Sequence, residues 1–154
     1  MPQDDTDKPD YHHILAAVDL SPEGDTVARR ALELAREFDA RLTVLHVTAN
    51  LIEEPAYEFM TTLPVDMDIQ AEIVSQAKRS LKDLCRRLGD EDIHRIVEVN
   101  TPKHGILDVA RREEADLIVI GNHGVHGLEL LLGSTANGVL HHAPCDILAV
   151  KVGG

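Results

Sequence analysis

Residues 118–135 read Ile118-Val-Ile-Gly121-Asn-His-Gly124-Val-His-Gly127-Leu-Glu-Leu-Leu-Leu-Gly133-Ser134-Thr135. An apolar run stops at a glycine, glycines recur, and Gly-Ser-Thr opens the next element. Glycine has no Cβ, so a ligand can approach its backbone closely. Uncovered N–H groups in such a loop, and at the helix start that follows, bind phosphate. The chemistry indicated is a nucleotide site. A second apolar run, His13 to Val18, stops at Asp19 and offers a carboxylate. Plainer roles exist for each piece: a tight turn for the glycines, a helix cap for Ser134, help in capping the first helix for Asp19. An N-capping hydroxyl and a phosphate both sit at a helix start, so for Ser134 the two roles are compatible.

Other reactive residues point to less. The chain has nine histidines, yet His123 and His126 lie on a glycine loop, no carboxylate cluster joins them, and there is no HExxH. No metal site is expected. His123 is expected to shape the loop or lie near phosphate. His12-His13 and His141-His142 read as surface or partly buried residues, and His46 in its apolar setting as structural. Phosphoryl transfer needs a metal site and an oriented nucleophile, and no Walker lysine motif is present. His123-Gly-Val-His126 is only superficially similar to the His-x-Gly-His of nucleotidyl transferases, because its glycine is displaced and it follows strand 4. The two cysteines, Cys85 and Cys145, form no CxxC and no disulfide framework. Both read as reduced thiols, with Cys145 a small apolar residue. Glu53, Glu54 and Glu58 read as a solvated face.

These residues must be positioned by regular elements. His13–Val18, Leu42–Val47, Ile93–Val99, Asp116–Gly121 and Cys145–Val152 are apolar runs suited to strands buried on both faces. Between them fall helical patterns. Ser21-Pro22-Glu23 starts the first, which runs to about Phe38 with Val27, Ala28, Ala31, Leu34, Ala35 and Phe38 as its buried stripe. The second runs from about Asp66 to Leu88 and ends at Gly89, with Ile69, Ile73, Ala77, Leu81, Leu84 and Leu88 as apolar positions. Pro102 to about Glu113 and Ser134 to His142 are the others. Residues 1–10 read as a disordered acidic tail, residues 11–154 as a single domain, and 50–64 as a long connection. The alternation predicts an α/β fold: a doubly wound, five-stranded parallel sheet with helices on both faces. Ligands of such sheets sit beyond the carboxyl ends of the strands, near the switch point. If strands 1 and 4 are neighbours, Asp19 and the glycine loop share one crevice.

Composition narrows the function. At 154 residues the chain can bury one core. The net charge of −12 comes without a Lys/Arg cluster, so no nucleic-acid partner is expected. Backbone N–H groups can still hold a small phosphate ligand. No apolar run reaches membrane-span length and the acidic start lacks signal-peptide features, so a cytoplasmic protein that is not membrane-embedded is expected.

The combination of motifs resembles the universal stress protein family over nearly all of Tyr11 to Val152. It comprises His-Ile-Leu-Ala-Ala-Val-Asp-Leu-Ser at the start, Leu-His-Val in strand 2, Asp-Leu-Ile-Val-Ile-Gly in strand 4, and Gly-Ser-Thr-Ala-Asn followed by Ala-Pro-Cys-Asp-Ile-Leu-Ala-Val. The resemblance implies strand order 3-2-1-4-5 and a homodimer, formed through strand 5 (146–152), with higher oligomers open. It also implies a protein partner such as a membrane transporter. The ATP-binding branch of the family carries Gly, two residues, Gly, nine residues, Gly, then Ser or Thr. Gly121, Gly124 and Gly133-Ser134 match it, except that only eight residues separate Gly124 from Gly133. By this resemblance the cofactor is ATP, with Mg as its optional companion. Asp19 would contact the adenosine beside Ala17 and Val18, Val47 would line the adenine pocket, and Ile120 would add backbone beside the nucleoside. Gly121, Gly124, Gly133, Ser134 and Thr135 would hold ribose and phosphates. Asn100 stands where the family often has a glycine before x-Pro; asparagine tolerates unusual backbone angles.

Three functions compete on this reading. The first is an ATP-binding stress-response regulator whose occupancy modulates a dimer or partner interface. The second is an enzyme, either a slow ATPase or a nucleotidyl transferase. The third is a nucleotide-free dimeric interaction protein, for which the eight-residue spacer is the main argument. A response-regulator reading fails because Asn100 stands where that fold needs its phosphoacceptor aspartate.

Overall fold

The computed structural model describes residues 10–51, 67–122 and 133–153. The acidic tail apart from Asp10, most of the 50–64 connection, and residues 123–132 of the glycine loop lie outside them. The described elements are β1 (His13–Ala17), α1 (Pro22–Phe38), β2 (Arg41–Thr48), α2 (Met67–Leu88), β3 (His94–Val99), α3 (Pro102–Arg112), β4 (Leu117–Gly121), α4 (Ser134–His142) and β5 (Asp146–Val150). All strand pairs are parallel and the order is β3-β2-β1-β4-β5. This is the order the resemblance implies.

Alternation along each strand builds two apolar layers. Ile14, Ala16, Val44 and Val119 face the layer made by α1 and α2. Leu15, Leu45, Ile118 and Ile120 face that made by α3 and α4. The α1 stripe follows the expected spacing, with Leu32 buried where Leu34 is only partly covered. Ile69, at the start of α2, is 54% exposed and does not join the core. The two end strands also differ slightly from the sequence reading. β5 stops at Val150, because the Val152 N–H turns to the Asn122 side chain.

Three helices end in the same way. After α2, Gly89 adopts φ +84°, with its N–H on Arg86 O and the Asp90 N–H on Cys85 O. That paired pattern is a Schellman stop. α1 and α3 repeat it with Asp39 (φ 53°) and Glu114 (φ 54°) in the left-handed position. Asn100, in contrast, uses no left-handed angle. Its Oδ1 accepts the Thr101 N–H and its Nδ2 donates to Asp108, so side-chain bonding shapes this turn.

His13 is not a surface residue: it is 4% exposed, at the start of β1. Its ring lies 2.9 Å from the Glu113 carbonyl and 2.7 Å from the Thr43 hydroxyl. Arg41 Nη2 also lies 3.1 Å from the ring nitrogen, Nδ1, that faces the Glu113 carbonyl, so the imidazole joins a guanidinium, a carbonyl and a hydroxyl in one cluster. The Asp116 carboxylate accepts the His12 and His13 N–H groups beside it. This polar cluster ties β1 to the start of β4, at the end of the sheet away from the glycine loop.

Candidate functional site

The carboxyl ends of β1, β2 and β4 open onto a crevice of about 250 Å³. It lies at the switch point, because β1 pairs with both β2 and β4 while its following helix turns to one side only. Ala17, Val18, Asp19, Val47, Ile120, Gly121 and Thr135 all line it. Gly133 and Ser134 stand beside it at the start of α4 without lining it. His123 and Gly124 lie outside the described residues.

The β1 wall is held from several sides. The Val18 N–H continues the ladder to Leu45 O. The Val18 carbonyl accepts from His46 Nδ1 at 2.9 Å. Asp19 Oδ1 accepts the Ser21 N–H at 3.2 Å and the Ser21 hydroxyl at 2.5 Å. Ser21 is the residue before α1, yet its hydroxyl does not cap that helix. Gly24 completes the wall. A Cβ there would overlap the Asp19 carbonyl oxygen, so only glycine lets the first turn of α1 close down on Asp19.

Two further close approaches shape the crevice. A Cβ on Gly105 of α3 would stand 2.7 and 2.8 Å from the Val47 methyls. The missing side chain therefore lets α3 settle onto Val47. At Gly121 a Cβ would meet Val27 at 3.3 Å and Val152 at 3.4 Å. Packing between α1 and the chain after β5 thus requires a small residue there, independently of any ligand.

Asn122 anchors the glycine loop. Its N–H bonds Val150 O, its Oδ1 accepts the Val152 N–H, and its carbonyl accepts the Gly133 N–H at 3.0 Å. The Asn122 and Gly133 ends of the loop therefore meet. Gly133 is the residue preceding α4, which makes Ser134 the first helical residue and not the cap.

Charge divides the crevice. Asp19 and Glu23 line it on the α1 side, and the first turn of α1 also carries Asp25. The first turn of α4 holds no acid and, among the described residues, no side chain caps it, while Thr135 and Ala136 of that turn line the crevice. Helix N-termini carry partial positive charge on uncovered N–H groups. An anionic ligand group is therefore favoured on the α4 side and disfavoured near α1. Among the described residues no three His, Cys, Asp or Glu side chains are grouped to hold a metal ion.

Several lining residues escape a reading of the sequence: Glu23, Gly24, His46, Pro102, Ile106 and Val152. His46 is at the crevice, not merely a filler of strand 2. One signal was present for two of the glycines. Gly24 and Gly105 each fall in the first turn of a helix opened by Ser-Pro or Thr-Pro. Glycine inside a helix costs about 1 kcal/mol relative to alanine, so its use there marks a close approach. A second cavity, of about 360 Å³, lies at the opposite end of the sheet between Arg36, Asp39, Arg41, Asp90 and His94. It mixes both charges, and none of its lining residues lies in the first turn of a described helix.

The model of the universal stress protein family matches residues 10–151. Universal stress protein A homolog 1 of Coxiella burnetii is 42% identical over 142 residues, which cover 91% of this chain and 96% of that protein. Among solved structures, universal stress protein UspA from Lactobacillus plantarum matches with a TM-score of 0.69 and 27% identity, over 93% of this chain and 99% of the other. The universal stress protein from Archaeoglobus fulgidus in complex with dAMP matches with a TM-score of 0.59 over 93% and 100% of the two chains. Its identity is 24%, so that likeness concerns the fold.

Proposed function

The chain belongs to the universal stress protein family, and from that premise we propose that it is an ATP-binding regulatory protein of the stress response. The observation that carries the proposal is the divided crevice. Its apolar part, between Val47, Ile106 and Ile120, suits a planar base. Asp19 suits ribose hydroxyls. The acid-free start of α4 suits phosphates. The cavity is slightly smaller than the roughly 300–1,000 Å³ of drug-sized sites, so it holds the nucleoside while the phosphates extend along α4 toward the glycine loop. Mg would arrive with the phosphates, since no three described His, Cys, Asp or Glu side chains are grouped to hold it on their own. The fold neighbour from Archaeoglobus fulgidus in complex with dAMP supports a nucleotide in this architecture.

A regulatory role follows from coupling. A ligand shifts a conformational equilibrium only by its differential affinity for the two states. ATP bridging α4 and the β1 wall favours the state in which both ends of the crevice are in place. The readout is a surface of the chain, with a second copy through β5 and a further protein as the proposed partners.

Thr135→Asp tests the proposal. Aspartate in the first turn is favourable to the helix itself, so the variant keeps or raises its thermal midpoint. The same charge opposes phosphate. Equilibrium titration should show ATP affinity reduced at least tenfold and adenosine affinity little changed. No saturable ATP binding by the unaltered protein at millimolar concentration would overturn the reading. Unchanged ATP affinity in Thr135→Asp would remove the phosphate from α4.

A further inference from the structure

We infer that His46 is a positioning residue: its Nδ1–H fixes the Val18 carbonyl and thereby sets the crevice wall that carries Asp19. The inference rests on the nucleotide reading for its effect on binding, but its geometry stands on its own. β1 leaves the sheet after Ala17. Beyond that point Val18 keeps one ladder bond, from its N–H to Leu45 O at 2.9 Å. Its carbonyl is buried with it, since Val18 is 6% exposed. A buried carbonyl left without a donor costs about 1–3 kcal/mol. β2 extends beyond the last residue that β1 pairs with, Leu45. The next residue of β2 is His46, and its side chain supplies the donor that the ladder no longer does.

The consequence is directional. A peptide unit is planar, so fixing the Val18 carbonyl also fixes the Asp19 N–H and Cα. Ser21 then orients the Asp19 carboxylate, and the first turn of α1 at Gly24 closes over its carbonyl. Without the imidazole, the Val18–Asp19 peptide can turn to find water, and Asp19 moves with it. The carbonyl only accepts, so Nδ1 must carry the proton. Asparagine can place an amide N–H where Nδ1–H stood, whereas leucine fills the space with no donor.

Two variants of the full chain, His46→Asn and His46→Leu, separate this role from plain packing. ATP is titrated against each by calorimetry, and hydrogen exchange is followed on peptides spanning residues 14–25 in the absence of nucleotide. The expected result is ATP affinity within about threefold of the unaltered protein for His46→Asn and at least tenfold weaker for His46→Leu. Exchange at the Val18 amide, which bonds Leu45 O, should accelerate at least tenfold in His46→Leu only. Equal affinities and equal exchange in both variants would overturn the inference. So would His46→Asn behaving like His46→Leu, which would assign the histidine a task other than this bond. Failure of the unaltered protein to bind ATP would strike the nucleotide reading alone, and the exchange measurement would still decide the role of His46. Circular dichroism establishes that each variant is folded; if His46→Leu does not fold while His46→Asn does, the donor is required for the wall itself and the inference stands.

Discussion

Gly24 shows how one missing side chain sets the geometry of the crevice. Its Cα faces the Asp19 carbonyl so closely that a methyl group would overlap the oxygen. Flexible side chains can yield, but here the obstacle is backbone, so Gly24→Ala must displace the start of α1. Overpacking of this kind costs about 1–3 kcal/mol. The variant is expected to melt several degrees lower and to bind ATP at least tenfold more weakly; a normal midpoint with normal affinity would mean that the α1 turn relaxes freely. Asp19 was legible in the sequence from the end of its apolar strand, and Val47 and Thr135 from the family resemblance; all three line the crevice. Gly24 and His46 were not, because their partners are Asp19 and Val18, which only the folded chain brings near. Cys145 shows a second kind of context. Burial, with Asp116 and Asp146 nearby, pushes the thiol of this half-buried residue up to about 11.

At the scale of elements, the strands and the four described helices could be placed from apolar runs and from proline at helix starts. What pattern could not supply was the chemistry of the helix ends. α2 stops at glycine, as its sequence signals. α1 and α3 reach the same stop with Asp39 and Glu114, both exposed, in a conformation that costs a non-glycine residue roughly 1–2 kcal/mol. No glycine announced these stops, yet the backbone pairs Ala40–Ala35 and Ala115–Ala110 make them identical in form. Glu114→Gly should therefore stabilise the protein by about 0.5–1 kcal/mol, the relief of strain being partly offset by glycine's greater freedom when unfolded. Chemical denaturation reads this as a higher midpoint at unchanged slope. A lower midpoint would show that Glu114 makes a compensating interaction. Neither outcome should touch nucleotide affinity, because α3 ends at the far side of the sheet from the crevice.

At the scale of the whole molecule, β3 and β5 are the sheet edges. The Val150 carbonyl faces β4, where it accepts from Asn122, and the Val152 N–H faces Asn122 as well. By alternation the N–H of Ala149, an exposed residue, points outward. An outward row of backbone donors is a template for another strand. Under the proposed β5 dimer, Ala149→Pro should dissociate the pair in sedimentation experiments while leaving the melting of the monomer nearly unchanged; a persistent dimer would place the interface elsewhere. The same loop anchor, Asn122, ties β5 to the start of α4, so the proposed interface and the proposed phosphate site share one anchoring residue. The central claim is that ATP sits in the crevice between the β1 wall and α4. An amide-resolved NMR titration of the full chain with ATP tests it most directly. Saturable shifts are predicted at Val18, Asp19, Val47, Gly121, Thr135 and Ala136. No saturable shift, or shifts confined to Asp39, Asp90 and His94 around the opposite cavity, would contradict it.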